Sequence, residues 1–372
     1  MATFALFQHA ATGPSLRGWV EGLEARGHRV VIVAALPRRP HEDWDGLEVV
    51  VLPDPAWSRA LARRIRGRRA KHVLTVPGPL AVRRLLRRHR VDVVVVKVYS
   101  LRNTVVSLVA ASLGLRRLAW AEQVPPLGVE WRLLQRLGVL PRRWFSVVAD
   151  RPGGVARPDA EQAGRVPVVG YAAPSGPPAG PRPSDDGPVR FLVVASWKNA
   201  TAKRQWRVLE AAAAAAAGLL DGRATFTFVG TGRAEDEGHV RLAGLVDELD
   251  AGAVVRLLRD VPMTGMPALM DAHDALVLPS RREQFGMVVP EAMARGLAVV
   301  VTDTVGAVGL VDPGRTGLVV PAEDLAALGA ALHRLVDEPG LAARMGAAGR
   351  EHVARWGSPA AAGAALERLA LG

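Results

Sequence analysis

The sequence predicts an α/β protein built from two doubly wound parallel sheets. Three features carry that expectation: strands alternate with amphipathic helices in both halves, one strand is a valine run, and a Pro/Gly-rich break separates the halves. In the first half, Thr3–Phe7 reads as a strand, followed by a loop around Ala10–Pro14 and a helix over Ser15–Arg26 that Gly27 ends. Arg29–Ala34 is a second strand. Val91–Val96, apolar apart from Asp92, has the pattern of a strand buried on both faces, and Thr104–Leu113 is a helix closed by Gly114.

The composition changes between residues 170 and 188, where five prolines precede Pro188. Proline at that density disfavours helix and makes a semi-extended connector. Beyond it the pattern restarts. Val189–Ala195, Thr225–Val229, Asp274–Leu278 and Leu297–Thr302 read as strands. Gln205–Gly218, a segment from Val289-Pro290 to Gly296, Leu325–Val336 and Leu341–Trp356 read as helices, with Pro290 suited to a first helical turn. The expected domains are 1–172, a hinge over 173–188, a second domain over 189–356, and residues 357–372 as a helix crossing back onto the first domain.

The chain has 372 residues, 49% hydrophobic and 23% charged, which describes a folded globular protein. It contains no cysteine, so disulfides, thiolate metal sites, iron–sulfur clusters and a cysteine nucleophile are excluded. The start, Met1-Ala2-Thr3-Phe4, lacks the basic flank of a signal peptide, and no window reaches a membrane-spanning length; a cytoplasmic location is expected.

The net charge of +12 is unevenly placed. Residues 1–172 hold 28 Lys and Arg against 13 Asp and Glu, whereas residues 173–372 hold 20 against 23. The excess is concentrated in Arg59–Lys71 and Arg83–Arg90. Such a field attracts anionic membranes, acidic substrates or nucleic acid, or is simply a solvated arginine surface. The basic runs lack interleaved aromatics and no nucleic-acid-binding motif is legible, so no nucleic-acid partner is expected. Only four residues are lysine, and two of them, Lys198 and Lys203, lie in one short segment. In a chain that otherwise uses arginine, this suggests that compact ammonium groups are wanted there.

The most informative stretch runs from Ser280 to Glu291. Glu283 lies in a loop after a strand, and Glu291 lies eight positions on, in the first turn of the next helix. Open α/β sheets bind ligands at the carboxyl ends of their strands. Backbone N–H groups around Gly286 at the helix entrance suit phosphate or sugar oxygens. A carboxylate accepts two directional bonds from a vicinal diol, so Glu291 suits a ribose and Glu283 a sugar hydroxyl. Read alone, Glu291 equally suits a helix N-terminus electrostatically, and Glu283 an ordinary surface loop.

This segment resembles the glutamate–seven–glutamate motif of retaining GT-B glycosyltransferases of family four. The resemblance extends from Phe285 through Val300, and upstream to Phe226–Gly232 and Asp271–Ser280. Downstream, Asp312–Pro321 followed by Asp324–Leu328 also fits, so the similarity spans about 190 to 356. It implies two Rossmann-like domains facing across a cleft, with donor binding in the second and acceptor binding in the first.

Carried over by position, Glu291 binds the donor ribose and Glu283 contacts the transferred sugar. The backbone of Phe285, Gly286, Met287 and Val288 holds the sugar and β-phosphate. Gly230, in a strand–Gly-x-Gly turn, and Gly13, which resembles the glycine loop of the first domain, are implied donor contacts, and Val261 falls where backbone groups read the base. Lys203 fits the family's lysine and Lys198 stands five before it, where arginine is usual; together they neutralise the departing diphosphate. The family's mid-domain histidine is replaced here by Glu122-Gln123. His9, Tyr99, Arg102, Glu122 and Gln123 are the acceptor-side candidates.

The implied reaction is retaining transfer of a sugar from a nucleoside diphosphate donor to a hydroxyl acceptor on an aglycone, a sugar or a lipid-linked molecule. No cofactor and no metal are expected. A membrane-surface glycosyltransferase acting on anionic lipid, peripheral at the inner face, is the second reading, and a GT-B sugar epimerase the third.

Overall fold

The computed structural model describes residues 1–8, 14–34, 46–58, 60, 76–97, 101–121, 143–146, 187–214, 218–283 and 285–372. These fall into two units, one holding the described residues up to 146 together with 357–372, the other 187–356. Among the described residues no helix is long and apolar enough to cross a membrane.

The first unit runs β1 (Thr3–Gln8), α1 (Pro14–Glu24), β2 (Arg29–Ala34), β3 (Val49–Val51), α2 (Pro79–Arg88), β4 (Val93–Lys97), α3 (Leu101–Ser112), β5 (Arg116–Ala121) and β6 (Arg143–Ser146). Its sheet has the order β3-β2-β1-β4-β5-β6 with every neighbouring pair parallel. Val93 to Val96 are buried at the sheet centre, as the unbroken apolar run requires. The strand starts two residues later than its pattern suggests because Asp92 has other work: its carboxylate accepts the Thr3 N–H at 2.8 Å. Helix α1 ends at Glu24, short of Arg26. The chain then turns through Gly27 at φ +81°, and the His28 N–H returns to the Leu23 carbonyl at 3.1 Å.

The second unit runs β7 (Val189–Val194), α4 (Ala200–Lys203), α5 (Arg207–Ala214), β8 (Ala224–Gly230), α6 (Glu237–Glu248), β9 (Val255–Arg259), α7 (Met266–Asp271), β10 (Ala275–Leu278), α8 (Val288–Ala294), β11 (Ala298–Thr302), β12 (Gly317–Val320), α9 (Leu325–Asp337) and α10 (Leu341–Trp356). Its order, β12-β11-β10-β7-β8-β9, is again all parallel. Counted from the first strand of each unit, the two sheets share one winding. The core on one face of the second sheet centres on Phe191 and Phe226, stacked at 5.2 Å, with the buried Trp197 and Leu332. Helix α5 begins at Arg207, later than the alanine pattern suggests, because Arg204 at φ +50° breaks the backbone and Gln205 turns inward to donate to the Ser196 carbonyl.

A last helix, α11 (Pro359–Leu371), belongs to the first unit and packs on α1. Ser358 caps it by accepting the Ala361 N–H, and Pro359 occupies the first turn, where no N–H is needed. The two helices touch backbone to backbone: a Cβ on Gly22 would lie 1.9 Å from the Pro359 carbonyl oxygen, and one on Gly363 would lie 2.2 Å from that of Gly22. Glu367 fastens the pair. It is ion-paired with Arg26 and lies 3.1 Å from His28 Nε2, while His28 Nδ1 accepts the Ala2 N–H. Helix propensity alone makes Gly363→Ala stabilising by about 1 kcal/mol. The carbonyl contact reverses the sign, and urea unfolding is expected to show a loss of about 2 kcal/mol. A variant as stable as the wild type would show that the helices do not meet this closely.

Candidate active site

The winding of the second sheet reverses between β7 and β10, and a crevice opens where such strands lead apart at their carboxyl ends. The loop after β7 is short and shaped by its own polar groups. Ser196 Oγ accepts the Lys198 N–H across a 3₁₀ turn at Trp197–Asn199, and α4 follows, closed by the left-handed Arg204. After β10 the chain runs from Pro279 to Met287 before α8. Backbone bonds tie the two loops together: Arg281 and Arg282 donate to the Ala202 carbonyl at 2.9 and 3.3 Å.

That tie sets the next residues side by side. Lys203 Nζ is ion-paired with a carboxylate oxygen of Glu283, both side chains being mostly buried at 18% and 16% exposure. The backbone around Glu283 is held from the far side, where its carbonyl accepts the Gly306 N–H at 3.0 Å and that of Phe285 accepts Ala307. Gly286 adopts φ +88°, and a Cβ there would approach Leu278, Val305 and Glu283 to 3.1–3.2 Å, so both backbone angle and space require glycine. Ser280 is buried beneath this loop, its carbonyl accepting from the hydroxyls of Thr302 at 2.5 Å and Thr304 at 2.8 Å.

Phe285 is buried; Met287, Val288 and Glu291 are half-buried at the entry of α8. Among the described residues the Glu291 carboxyl has no ion pair and no hydrogen-bond partner, and burial pushes its pKa up to about 8. Lys198 is exposed and carries no ion pair among the described residues. Among the described residues the site thus holds one neutralised cation–carboxylate pair, one cation without an ion pair and one proton-holding carboxyl. A dianionic ligand arriving here would compete with Glu283 for the Lys203 ammonium.

Gly230 serves a different end from the direct donor contact expected of it. It is buried, and a Cβ on it would lie 2.1 Å from the Trp197 indole; the same ring passes below Gly232, at φ +143°. The glycines are therefore the slot for Trp197, whose backbone carries the Lys198 loop. Gly230→Ala is expected to cost about 3 kcal/mol in chemical denaturation by displacing that ring. An unchanged midpoint would show that Trp197 is not seated there. Val261 is half-buried just past β9; before it, Asp260 in the left-handed region donates its N–H to the Gly230 carbonyl at 3.0 Å.

In the first unit, β1 and β4 flank the corresponding reversal and lead into residues 9–13 and 98–100. His9, Gly13, Tyr99, Glu122 and Gln123 lie outside the described residues. Arg102 corrects the expectation of an acceptor contact. It is 2% exposed, ion-paired with the buried Asp54 and donating to the Leu52 carbonyl at 2.9 Å. Its side chain fastens α3 to the exit of β3.

Sequence reasoning missed a cationic cluster beside Lys203. Glu323 is bridged by Arg204 at 2.8 Å and Arg281 at 3.2 Å, and the Arg204 hydrogen bond holds its carboxyl below the ordinary range. Partners 119 positions apart leave no sequence signal.

Residues 182–352 match the family described as glycosyl transferases group 1. A D-inositol 3-phosphate glycosyltransferase of Streptomyces avermitilis is 36% identical over 141 residues, 37% of this chain and 29% of the relative. The chain thus matches less than a third of that relative's length. Two solved structures align along nearly the whole chain. Sucrose-phosphate synthase from Thermosynechococcus elongatus has a TM-score of 0.67 at 19% identity, covering 99% of this chain and 98% of that one. Anabaena Alr3699/HepE, in complex with UDP and glucose, has a TM-score of 0.66 at 14% identity, covering 99% of each chain. The resemblance to family-four glycosyltransferases and the GT-B fold read from the sequence are borne out.

Proposed function

We propose that the protein is a glycosyltransferase that moves a sugar from a nucleoside diphosphate sugar to a hydroxyl acceptor with retention at the anomeric carbon. The observation that carries this reading is the Lys203–Glu283 pair at the strand reversal of a group 1 unit, with Glu291 one helical turn into α8. The UDP complex of the Anabaena neighbour favours a nucleotide donor of the same kind. Lys203, together with Lys198 five positions before it, takes the charge that develops on the diphosphate as it leaves. Glu283, released from Lys203 by that diphosphate, accepts from a sugar hydroxyl and orients the ring. Glu291 accepts from the ribose diol.

In the transfer itself, the bond from the anomeric carbon to the β-phosphate oxygen breaks while the acceptor oxygen bonds to that carbon on the same face. The departing phosphate oxygen takes the acceptor proton. Lys203 contributes by stabilising that oxygen, with no covalent intermediate on the protein.

A thermal-shift panel of UDP-, GDP-, ADP- and dTDP-sugars tests the donor class, because a true donor raises the melting temperature by mass action. With the donor found, NMR of the product's anomeric configuration tests retention. No shift with any of the four, or an inverted product, would overturn the respective part.

A further inference from the structure

We propose that the first unit carries a docking patch for an anionic lipid surface, formed by Trp57 and the outer stripe of α2. The first observation is charge. Between Asp54 and Asp92 the sequence holds twelve Lys and Arg and no Asp or Glu. On α2 the stripe Leu80, Arg84, Arg87 and Arg88 follows helical spacing and is exposed, while Val82, Leu85 and Leu86 are buried on the opposite side. Among the described residues none of these three arginines has an ion-pair partner. In the second unit, by contrast, Arg190, Arg204, Arg223 and Arg295 are each matched to a carboxylate.

The second observation is what accompanies the charge. Trp57 is 57% exposed and Leu80 is 70% exposed, two of the few large apolar side chains left in solvent among the described residues. The chain beside Trp57 is tied to the entry of α2: Ser58 Oγ, next to Trp57, accepts the Val76 N–H at 2.8 Å, three residues before α2 begins. An indole and a leucine beside unpaired guanidinium groups suit the boundary between headgroups and acyl chains. The ring and the isobutyl group enter the apolar layer while the arginines meet phosphates. Leu80 favours this occupant over a nucleic acid, which offers an aliphatic side chain no comparable apolar layer.

The test uses the full chain and sedimentation with vesicles of phosphatidylcholine containing about one third phosphatidylglycerol, compared with pure phosphatidylcholine and with duplex DNA. Binding is expected to the anionic vesicles at low salt, not to the neutral ones, and to weaken in high salt. Arg84→Glu/Arg87→Glu/Arg88→Glu is expected to lower the partition coefficient by about tenfold or more. Trp57→Ser/Leu80→Ser, which leaves the charge unchanged, is expected to lower it about tenfold. The same triple reversal at Arg334, Arg350 and Arg355 of the second unit serves as control and is expected to change it little. Circular dichroism melts establish that each variant is folded. Absence of binding to anionic vesicles, an unaffected Trp57/Leu80 variant, or duplex DNA bound more tightly than vesicles through the same arginines would each overturn the proposal.

Discussion

Lys203→Ala is expected to lower kcat by about 10²- to 10³-fold, the loss typical when one preorganised charge-stabilising group is removed from the leaving-group side of a transition state. KM for the donor is expected to rise less, because the ammonium already has a partner in Glu283 before the donor arrives and gains most as charge develops on the phosphate. The substitution also strands a mostly buried carboxylate, so part of any activity loss is structural. The double variant Lys203→Ala/Glu283→Gln removes that stranded charge. Denaturation is expected to find it more stable than the single variant, with no recovery of turnover. A single variant with wild-type kcat would remove Lys203 from the chemistry.

The second large effect concerns Glu291, whose carboxyl holds its proton up to about pH 8, against an ordinary value of 4.5. Below 4.5 both folded and unfolded chains carry the proton, and nothing depends on this group. Between 4.5 and 8 the unfolded chain releases it while the folded chain keeps it, so stability falls as pH rises through that window and levels off above it. The whole shift corresponds to about 5 kcal/mol, and the partial exposure of the side chain reduces the expected effect to about 2 kcal/mol. Glu291→Gln, neutral throughout, is expected to unfold at higher urea than the wild type at pH 8.5 and equally at pH 4. Donor binding runs the other way. An ionised carboxylate accepts both hydroxyls of a diol, so wild-type donor affinity is expected to rise between pH 6.5 and 8.5. In Glu291→Gln it should be weaker by about tenfold at pH 8.5 and flat with pH. Unchanged affinity at pH 8.5 would take Glu291 out of the donor site, whatever its effect on stability.

Much of this was legible before any coordinates. Valine runs bounded by charge set the strands, glycines at 27, 114 and 296 set the helix ends, and the rarity of lysine marked Lys203 before any family resemblance did. These signals are local, and a backbone that must bury an apolar run and end a helix leaves few alternatives. Local pattern was less able to separate the role of a residue from its type. Gly230 sits in a turn that suggests ligand contact, yet the space it leaves is filled by Trp197. Arg102 sits beside the end of a central strand, where a ligand contact is plausible, yet it is closed off by Asp54.

By itself the sequence determined two doubly wound α/β units and the segment that bears the two glutamates, because hydrophobic periodicity and backbone requirements are written within a few residues of where they act. Only the tertiary structure decided that Lys203 neutralises Glu283, that Glu291 keeps its proton, and that α11 locks to α1 through two glycines. Each of these depends on which distant group excludes water from, or brings charge to, a given atom, and that follows from how the chain closes on itself.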